Sequence, residues 1–165
     1  MATAKTASRG GVTTFTTPTA REIVAARVVD APRRLIWDAW TNPKHVPHWM
    51  TGPEGWIMPV CEIDLRPGGE WHFVWRKSDG SEMEMRGAYR EIVPPERLVS
   101  TESWGGDWPE TLNTLVLTEE AGKTTMVCTV LYPSMEARDR ALGTGMKEGW
   151  SQSYDRLDEY LPTMP

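Results

Sequence analysis

Few residues in this sequence have the types and spacing needed for chemistry. His45 and His48 are three positions apart, and on a helix this spacing could turn two imidazoles toward one metal ion. Pro47 lies between them and no third ligand is evident, so we interpret both as exposed loop histidines. Cys61 and Cys128 have neither a Cys-x-x-Cys spacing nor a cluster of histidines, which indicates reduced, buried thiols. The sequence therefore predicts no metal and no cofactor.

Glu102 is the acidic residue for which the sequence suggests acid–base chemistry. Strand alternation places it on the same face as Leu98, Ser100 and Trp104, where burial would raise the pKa of its carboxyl group. A β-bulge or a salt bridge to an arginine accounts for the same pattern. No Gly-x-Ser-x-Gly motif is present and no cysteine pairs with a histidine, so nucleophilic catalysis has no candidate residue. Glu102 is therefore the candidate catalytic residue, but the sequence as a whole favours a protein that is not an enzyme.

The composition is unusual in its nine Trp and nine Met residues. Such side chains suit adaptable binding surfaces better than uniquely packed cores. Alternation sends Trp71, Phe73 and Trp75 to one face of a strand, which predicts an inward row of rings. We predict that these and other large side chains line a partial internal cavity, and a fully collapsed core is the alternative. The predicted ligand-binding set is Trp71, Phe73, Trp75, Met83, Met85, Trp104, Met146, Trp150 and Tyr154.

The elements that would position these side chains are consecutive antiparallel strands. Turn signals separate the strands, among them Arg66-Pro67-Gly68-Gly69, whose residue types fit a type II turn, and Ser78-Asp79-Gly80, which fits a tight hairpin. No helical pattern intervenes between the hairpins, so the pattern predicts a meander. The predicted strands are 21–29, 57–65, 69–77, 83–93, 98–104, 111–118 and 124–132.

Helices are predicted after the first strand and at the C-terminal end. Asp30-Ala31-Pro32 indicates a helix start with Asp30 as the cap, and Thr41-Asn42-Pro43 separates this helix from a second short one that ends near Trp49. Ser134 is typical of an N-cap for the last helical segment, which has an apolar stripe at helical spacing. Because Gly143 and Gly145 weaken a helix, we expect a break there and a main helix over about 145–161.

Length and charge limit the classes of function. The 165 residues suffice for one domain, which we place at residues 20–165 after a flexible tail at 1–19. The net charge is -5 and the basic residues form no stripe, which argues against nucleic acid and anionic membranes as partners. No apolar run is long enough to span a membrane and no secretory signal is evident, so we expect a cytoplasmic protein. The acid-poor start leaves an organelle transit peptide as a minor alternative.

Five motifs are distributed over about residues 21 to 161. They are the segment Asp-Ala-Pro-Arg-Arg-Leu-Ile-Trp-Asp-Ala-Trp-Thr-Asn-Pro at 30–43, Trp49 with Gly52-Pro53, Asp-Leu-Arg-Pro-Gly-Gly at 64–69, Glu-Ile-Val-Pro-Pro-Glu-Arg-Leu-Val at 91–99, and Gly145-Met146 with Gly149-Trp150. Together, and in this order, they resemble the bacterial homologues of the activator of heat-shock-protein-90 ATPase, in the SRPBCC superfamily.

The resemblance implies an α+β helix-grip fold of the START and birch-pollen-allergen type. In this fold a curved antiparallel sheet of about seven strands wraps a long C-terminal helix above a hydrophobic cavity, and two short helices follow strand 1. Superfamily members variously bind lipids and hormones, act as cyclases, or assist chaperones. We predict that the cavity binds a small apolar molecule; a co-chaperone-type interaction module for the stress response and a cyclase- or hydrolase-type enzyme are the alternatives. Exposed strand edges leave a homodimer open.

Overall fold

An eight-stranded antiparallel sheet dominates the computed structural model, which describes residues 11 to 165. Its order is β1-β2-β8-β7-β6-β5-β4-β3, so the second strand pairs with the last one and every other pairing joins strands that are consecutive in the chain. The strands are β1 (Thr14–Thr16), β2 (Glu22–Val29), β3 (Trp56–Ile63), β4 (Glu70–Lys77), β5 (Glu82–Val93), β6 (Arg97–Glu102), β7 (Thr111–Glu120) and β8 (Lys123–Leu131).

The first strand lies within the segment for which the sequence predicts a flexible tail. Thr14–Thr16 pair with β2 and add an eighth strand to the seven expected. Phe15 anchors this strand, because its ring meets the ring of Trp150 edge-on at a centroid distance of 5.6 Å. This strand has little signal in the sequence, since Phe15 is the one large apolar ring among its small and polar neighbours. The rest of the predicted tail, residues 1 to 10, lies outside the described residues.

Four helices cover the inner face and one end of the sheet. They are α1 (Arg33–Thr41), α2 (Val46–Trp49), α3 (Met135–Leu142) and α4 (Met146–Tyr160), and a 3-10 turn (Leu161–Thr163) follows α4. The predicted break is present between α3 and α4, where Gly145 has a φ of 77°, a conformation that suits glycine. Ser134 caps α3 as expected, because its hydroxyl accepts a hydrogen bond from the Ala137 amide at 3.1 Å. Within residues 11 to 165, no helix is long and apolar enough to cross a bilayer.

The start of α1 differs from the prediction. The N-cap is Pro32 rather than Asp30, and its side chain makes no capping hydrogen bond. Instead, the amide of Arg33 donates to the Glu119 carboxylate at 2.8 Å. The acceptor therefore comes from the β7–β8 hairpin, which is distant in sequence. A free amide at a helix start takes any suitable acceptor that tertiary packing brings near, and local sequence does not reveal that acceptor.

The long helix α4 lies across the inner face and is held there by packing and by charge. Its buried residues include Gly149, at which a Cβ would lie 3.1 Å from Pro53. On β2, the buried Arg27 donates to Asp155 at 2.8 Å and to Asp158 at 2.5 Å, both on α4. Arg27 thus connects the sheet to the helix through a nearly buried ion pair with Asp158, whereas Asp155 is exposed. The sequence analysis did not identify this contact.

The buried apolar residues form two clusters rather than one. The larger cluster includes Trp49, Trp71 and Phe73 and extends under the C-terminal half of α4. The smaller one contains Ile23, Val130, Tyr132 and Ala141 and lies under α3 and the start of α4. Phe15 and Trp150 are partly buried and pack against both. The rings of Phe15 and Trp150 therefore connect the two clusters.

Candidate functional site

A row of aromatic rings follows the inner face of β4 toward its hairpin end. Trp71, Phe73 and Trp75 are all buried, with centroid separations of 4.8 Å and 5.9 Å between neighbours. Trp104 continues the row by stacking on Trp75 at 5.5 Å with an interplanar angle of 18°. The indole N–H of Trp75 donates to the Met50 carbonyl at 2.8 Å, which fixes the orientation of its ring. Strand alternation predicted the direction of this row correctly.

The members of the predicted set on β5 and just after β6 differ in how deeply they are buried. Met85 is buried opposite Phe73, whereas Met83, which pairs with Trp75, is 36% exposed. Trp104 is 41% exposed, although its ring rests on Trp75. Met83 and Trp104 therefore form a rim beside the interior. Alternation identifies which face a side chain occupies, but it does not tell how far along the strand that face remains covered.

The members of the predicted set on α4 lie on the helix side of the interior, opposite the sheet. Tyr154 is buried, Trp150 and Met146 are half-buried, and the Trp150 and Tyr154 rings meet edge-on at 6.3 Å. Tyr132, which follows β8, places its hydroxyl 4.0 Å from the Met146 sulfur. These contacts join α4 to the smaller apolar cluster. The helix therefore contributes both rings and polar atoms to the interior.

Polar side chains occupy the inner face of the central strands between the two apolar clusters. Ser100 on β6 pairs with Asn113 on β7, and Glu102 pairs with Thr111 one row further along. Ser100, Glu102 and Asn113 remain partly accessible although they lie on interior strands of the sheet. Side chains in a packed core leave little such surface. These three polar side chains are therefore not fully enclosed by the surrounding apolar residues.

Glu102 is the acidic member of this polar row. Its carboxylate accepts a hydrogen bond from the Trp104 indole at 2.9 Å, and no arginine lies against it among the described residues. Burial of the carboxyl group raises its pKa from 4.5 to about 7, and the hydrogen bond from Trp104 opposes this shift in part. The salt bridge that the sequence left open as an alternative is not formed. The carboxyl group is thus poised to exchange a proton near neutral pH.

Two further groups near Glu102 were not part of the predicted site. Burial raises the pKa of the Cys128 thiol to about 12, and the charge of Glu102 contributes to the shift. Burial also raises the pKa of Tyr132, with smaller contributions from Glu102 and Cys128. These groups therefore lie within electrostatic reach of one another. Alternation along β8 would have placed Met126, Cys128 and Val130 on the inner face, but it could not show that Cys128 comes within electrostatic reach of Glu102 across β7.

The two histidines form a cluster at the far end of α4. His45 is half-buried, with Nε2 3.2 Å from the Asp38 carboxylate and Nδ1 2.6 Å from the Tyr160 hydroxyl. His48 is exposed and stacks on the Tyr160 ring at 4.8 Å. The prediction of exposed loop histidines is wrong for His45, because α2 packs against α4. No group of three or more His, Cys, Asp or Glu side chains within residues 11 to 165 is arranged to hold a metal ion.

Two surface pockets lie away from the aromatic set. One of about 210 Å³ is lined by residues such as Arg90, Thr101 and Leu112 on the outer side of the sheet. The other, of about 430 Å³, lies beside Thr19–Glu22 and Leu131. Neither includes a member of the predicted ligand-binding set. Both open to solvent, and neither combines the aromatic and Met side chains with the polar residues Ser100, Glu102 and Asn113.

The sheet, the long C-terminal helix lying across it and the two short helices after β2 define a helix-grip-like α+β protein. The same fold is found in a crystal structure of a Rhodobacter sphaeroides protein, which is 29% identical, covers 93% of this chain and 99% of its own, and has a TM-score of 0.88. The solution structure of an AHSA1-like protein from Aeromonas hydrophila, 17% identical, covers 81% of this chain and 93% of its own with a TM-score of 0.63. CalU16 from Micromonospora echinospora, 21% identical, covers 92% and 84% with a TM-score of 0.59.

The sequence family is defined by residues 30 to 162, which match the profile of the family described as activator of Hsp90 ATPase homolog 1-like protein. The chain belongs to this family, and the resemblance noted in its motifs is confirmed. No protein with a curated description matches the chain. Family membership establishes the fold and is consistent with a cavity that binds a ligand, whereas a particular activity does not follow from the fold.

Proposed function

We propose that this protein binds a small hydrophobic molecule in the space between α4 and the inner face of β6 to β8. One observation carries the proposal: Ser100, Glu102 and Asn113 face inward between two apolar clusters and still keep accessible surface. A helix laid over a curved sheet leaves a concave space of this kind, and apolar walls with a few polar groups are typical of ligand sites. The predicted set supplies the walls, with Met83 and Trp104 at the rim.

The composition of the walls supports an adaptable site. Met85 and Met146 flank the rings of Trp71 and Trp150, and unbranched Met side chains adjust to ligands of different shape. Aromatic rings present large flat surfaces at little cost in conformational freedom. We infer that the walls adjust their side-chain conformations around a small ligand.

The first test is native mass spectrometry of freshly purified protein, followed by denaturing extraction of anything it releases. A bound apolar compound near one equivalent would support the proposal directly. The second measurement is thermal melting with naphthalene as an apolar probe, because a ligand that binds only the folded state raises the melting temperature. No rise with naphthalene, together with a clean mass for the free protein, would contradict the proposal.

A pair of variants separates binding in the interior from binding at the surface. Ser100→Leu adds an apolar side chain where space remains, so it should abolish the rise in melting temperature with naphthalene while the variant stays folded. Thr129→Leu makes a similar change on the outer face of β8 and should leave the response intact, because residue 129 alternates with the inward Cys128. An unchanged response in Ser100→Leu would place the probe elsewhere.

A protein partner is the second candidate, and the exposed rim favours it. Trp104 and Met83 present apolar surface beside the interior, and exposed aromatic and Met side chains are common in protein interfaces. The family's description as homologues of an ATPase activator points in the same direction. A partner that binds this rim, such as a chaperone, should be retained by Ser100→Leu and lost with Trp104→Ala. The opposite pattern would argue for a complex that depends on the occupied interior.

An enzyme of the cyclase or hydrolase type remains the third candidate because of Glu102. A carboxyl group with a pKa near 7 can donate and accept a proton at neutral pH. If the compound released from the protein is altered by it, Glu102→Gln should abolish turnover without lowering the melting temperature. Turnover that persists in this variant would remove Glu102 from the reaction.

A further inference from the structure

The smaller pocket on the outer face of the sheet is bordered by two arginines that have no ionic partner among residues 11 to 165. It has a volume of about 210 Å³, and Arg21 and Arg90 both line it. Arg21 precedes β2 and Arg90 lies on β5, so the two side chains approach from opposite sides of the strands between them. Most arginines in the described part of the chain pair with a carboxylate, whereas these two do not.

The floor of this outer pocket is a row of three residues on adjacent strands. Thr101 on β6 pairs with Leu112 on β7, which in turn pairs with Leu131 on β8. Leu112 and Leu131 are only half-buried, so they leave apolar surface at the bottom of the pocket. A molecule that covers this surface with an apolar group removes it from water, which is favourable.

Thr101 adds a buried hydroxyl to the floor. The residue is 6% exposed, and its Oγ1 accepts a hydrogen bond from the Ala88 amide at 3.0 Å. A hydroxyl also has one hydrogen to donate, and this one donates to no group within residues 11 to 165. Because Thr101 lines the pocket, an acceptor that enters the pocket can take this hydrogen. The floor therefore offers a hydrogen-bond donor whose position is fixed by the sheet.

The charges around the outer pocket favour an anion. Arg21 and Arg90 contribute two positive charges, and Glu110 is the one acidic side chain among the described residues that line it. Glu110 is exposed and forms no ion pair with either arginine in the described structure. Two positive charges against one negative charge leave a local excess of positive charge, although the net charge of the chain is -5. Guanidinium groups suit carboxylates in particular, because their paired N–H donors match the two oxygens.

We propose that the outer pocket binds a small carboxylate that carries an apolar group. The carboxylate lies between the guanidinium groups of Arg21 and Arg90 and accepts the hydrogen of the Thr101 hydroxyl. The apolar group rests on Leu112 and Leu131. The site is separate from the interior under α4, because Thr101 alternates along β6 with residues that face inward.

Benzoate is the probe, and the measurement is an NMR titration of the full chain labelled with nitrogen-15. The signals that move should be those of the Thr101, Leu112 and Leu131 amides and of the arginine side chains at the pocket. Benzyl alcohol has the ring without the charge and should bind roughly tenfold more weakly, because it loses both guanidinium contacts. Inorganic phosphate has charge without a ring and should bind at least roughly fivefold more weakly than benzoate, because it leaves the apolar floor uncovered.

Single substitutions test the sign of each charge. Arg21→Gln and Arg90→Gln should each weaken benzoate binding roughly three- to fivefold, as expected for an ion pair that is partly exposed to water. Glu110→Gln removes the one acid and should strengthen binding roughly twofold. Arg34→Gln is the matched control: it changes the net charge by the same amount at an exposed arginine on α1 that also has no ion pair among the described residues, so the affinity should not change.

The outcomes of this experiment are independent of those for the interior site. Absence of benzoate binding, equal affinity for benzoate and benzyl alcohol, or wild-type affinity in both Arg21→Gln and Arg90→Gln would each overturn the proposal. An equal loss in Arg34→Gln would show an effect of net charge alone and would overturn it too. Phosphate that binds as tightly as benzoate would contradict the role of the apolar floor. Shifts confined to α4 would place benzoate in the interior and leave the outer pocket without a ligand.

Discussion

At the scale of single residues, Glu102 lies between the exposed rim residue Trp104 and the buried interior. Its carboxylate is held by the exposed Trp104, while its neighbours across the sheet are the buried Cys128 and Tyr132. The carboxyl group is therefore shielded from water although the residue keeps some accessible surface. Such a position makes the protonation state of Glu102 sensitive both to folding and to whatever occupies the space beside it.

The stability of the protein should depend on pH through Glu102. A carboxyl group whose pKa rises from 4.5 to about 7 on folding binds more protons in the folded state between these values. The stabilisation is complete below about 4.5 and is lost as the pH rises through about 7. The free energy of unfolding of the wild type should therefore fall between these pH values, and in Glu102→Gln this fall should be absent. Urea denaturation at a series of pH values would measure the difference.

The control for this measurement is Glu110→Gln, an exposed site in the loop after β6. The unfolding free energy of this control variant should have the same pH dependence as that of the wild type. Asp158, whose pKa is also raised by burial, is present in all three proteins and cancels in the difference. Parallel curves for the wild type and Glu102→Gln would contradict the assignment of a raised pKa to Glu102.

At the scale of elements, the grip of α4 on the sheet depends on a buried charge cluster as well as on apolar packing. Arg27 on β2 is 3% exposed and contacts Asp155 and Asp158, which are one turn apart on the helix. Its Nη1 also donates to the Thr13 hydroxyl at 3.0 Å, so the segment before β1 takes part. Arg27 therefore connects three elements, and a change at this residue acts on all of them.

Removing Arg27 should be strongly destabilising. Arg27→Ala leaves Asp158 nearly buried without a partner, and loss of one member of a buried pair costs about 3 to 5 kcal/mol. The double variant Arg27→Met with Asp158→Leu should recover much of this loss, because it replaces both charges by apolar groups of similar volume. Chemical denaturation would give the unfolding free energies of the single and double variants.

An exposed ion pair serves as the control for the buried pair of Arg27. Arg97 and Glu91 are each about half exposed and lie 2.9 Å apart. Arg97→Ala should change the unfolding free energy by less than about 1 kcal/mol, as is usual for surface ion pairs. If Arg27→Ala has an effect this small, the buried pair does not fix α4 to the sheet.

The sequence predicts most of these elements because their signals are local. Alternation along β4 gives the inward direction of Trp71 and Phe73, and Gly143 with Gly145 marks the break between α3 and α4. The contacts that the sequence does not predict are between distant segments. The pairing of Arg27 with α4 depends on three-dimensional packing that no local spacing reveals.

The sequence likewise predicts some features of the candidate site and not others. Residue type and strand alternation predict the inward rings of β4, and the sequence also places Trp150 and Tyr154 on the last helix. They do not show that Met83 lies at the rim, because this depends on where the helix stops covering the sheet.

At the scale of the whole molecule, the sheet has two free edges that are protected differently. The edge strand β3 contains Pro59 within a change of register between Ile57 and Val60, and both features hinder pairing with another chain. The opposite edge is the three-residue strand β1, which covers β2. Without β1, the eight-residue strand β2 with its β-branched side chains would become the edge.

Deleting residues 1 to 16 should therefore promote self-association. The variant lacks β1 and leaves backbone groups of β2 unpaired, a surface that favours edge-to-edge pairing of two copies. Light scattering at increasing protein concentration should show dimers or larger species at concentrations where the full chain shows fewer. Phe15→Ala is the control, since it loses the contact with Trp150 but keeps the backbone of β1. A deletion variant that associates no more than the full chain would contradict this role of β1.

The stacked indoles of Trp75 and Trp104 have a spectroscopic consequence. Two tryptophan rings 5.5 Å apart and nearly parallel are close enough for their electronic transitions to couple, which produces a paired positive and negative band in circular dichroism. Trp104 is also solvent-exposed and next to the proposed site, so its ring is the one that an arriving molecule would displace. The protein thus contains its own optical probe of occupancy, and binding could be followed in the unlabelled chain by the loss of this band pair.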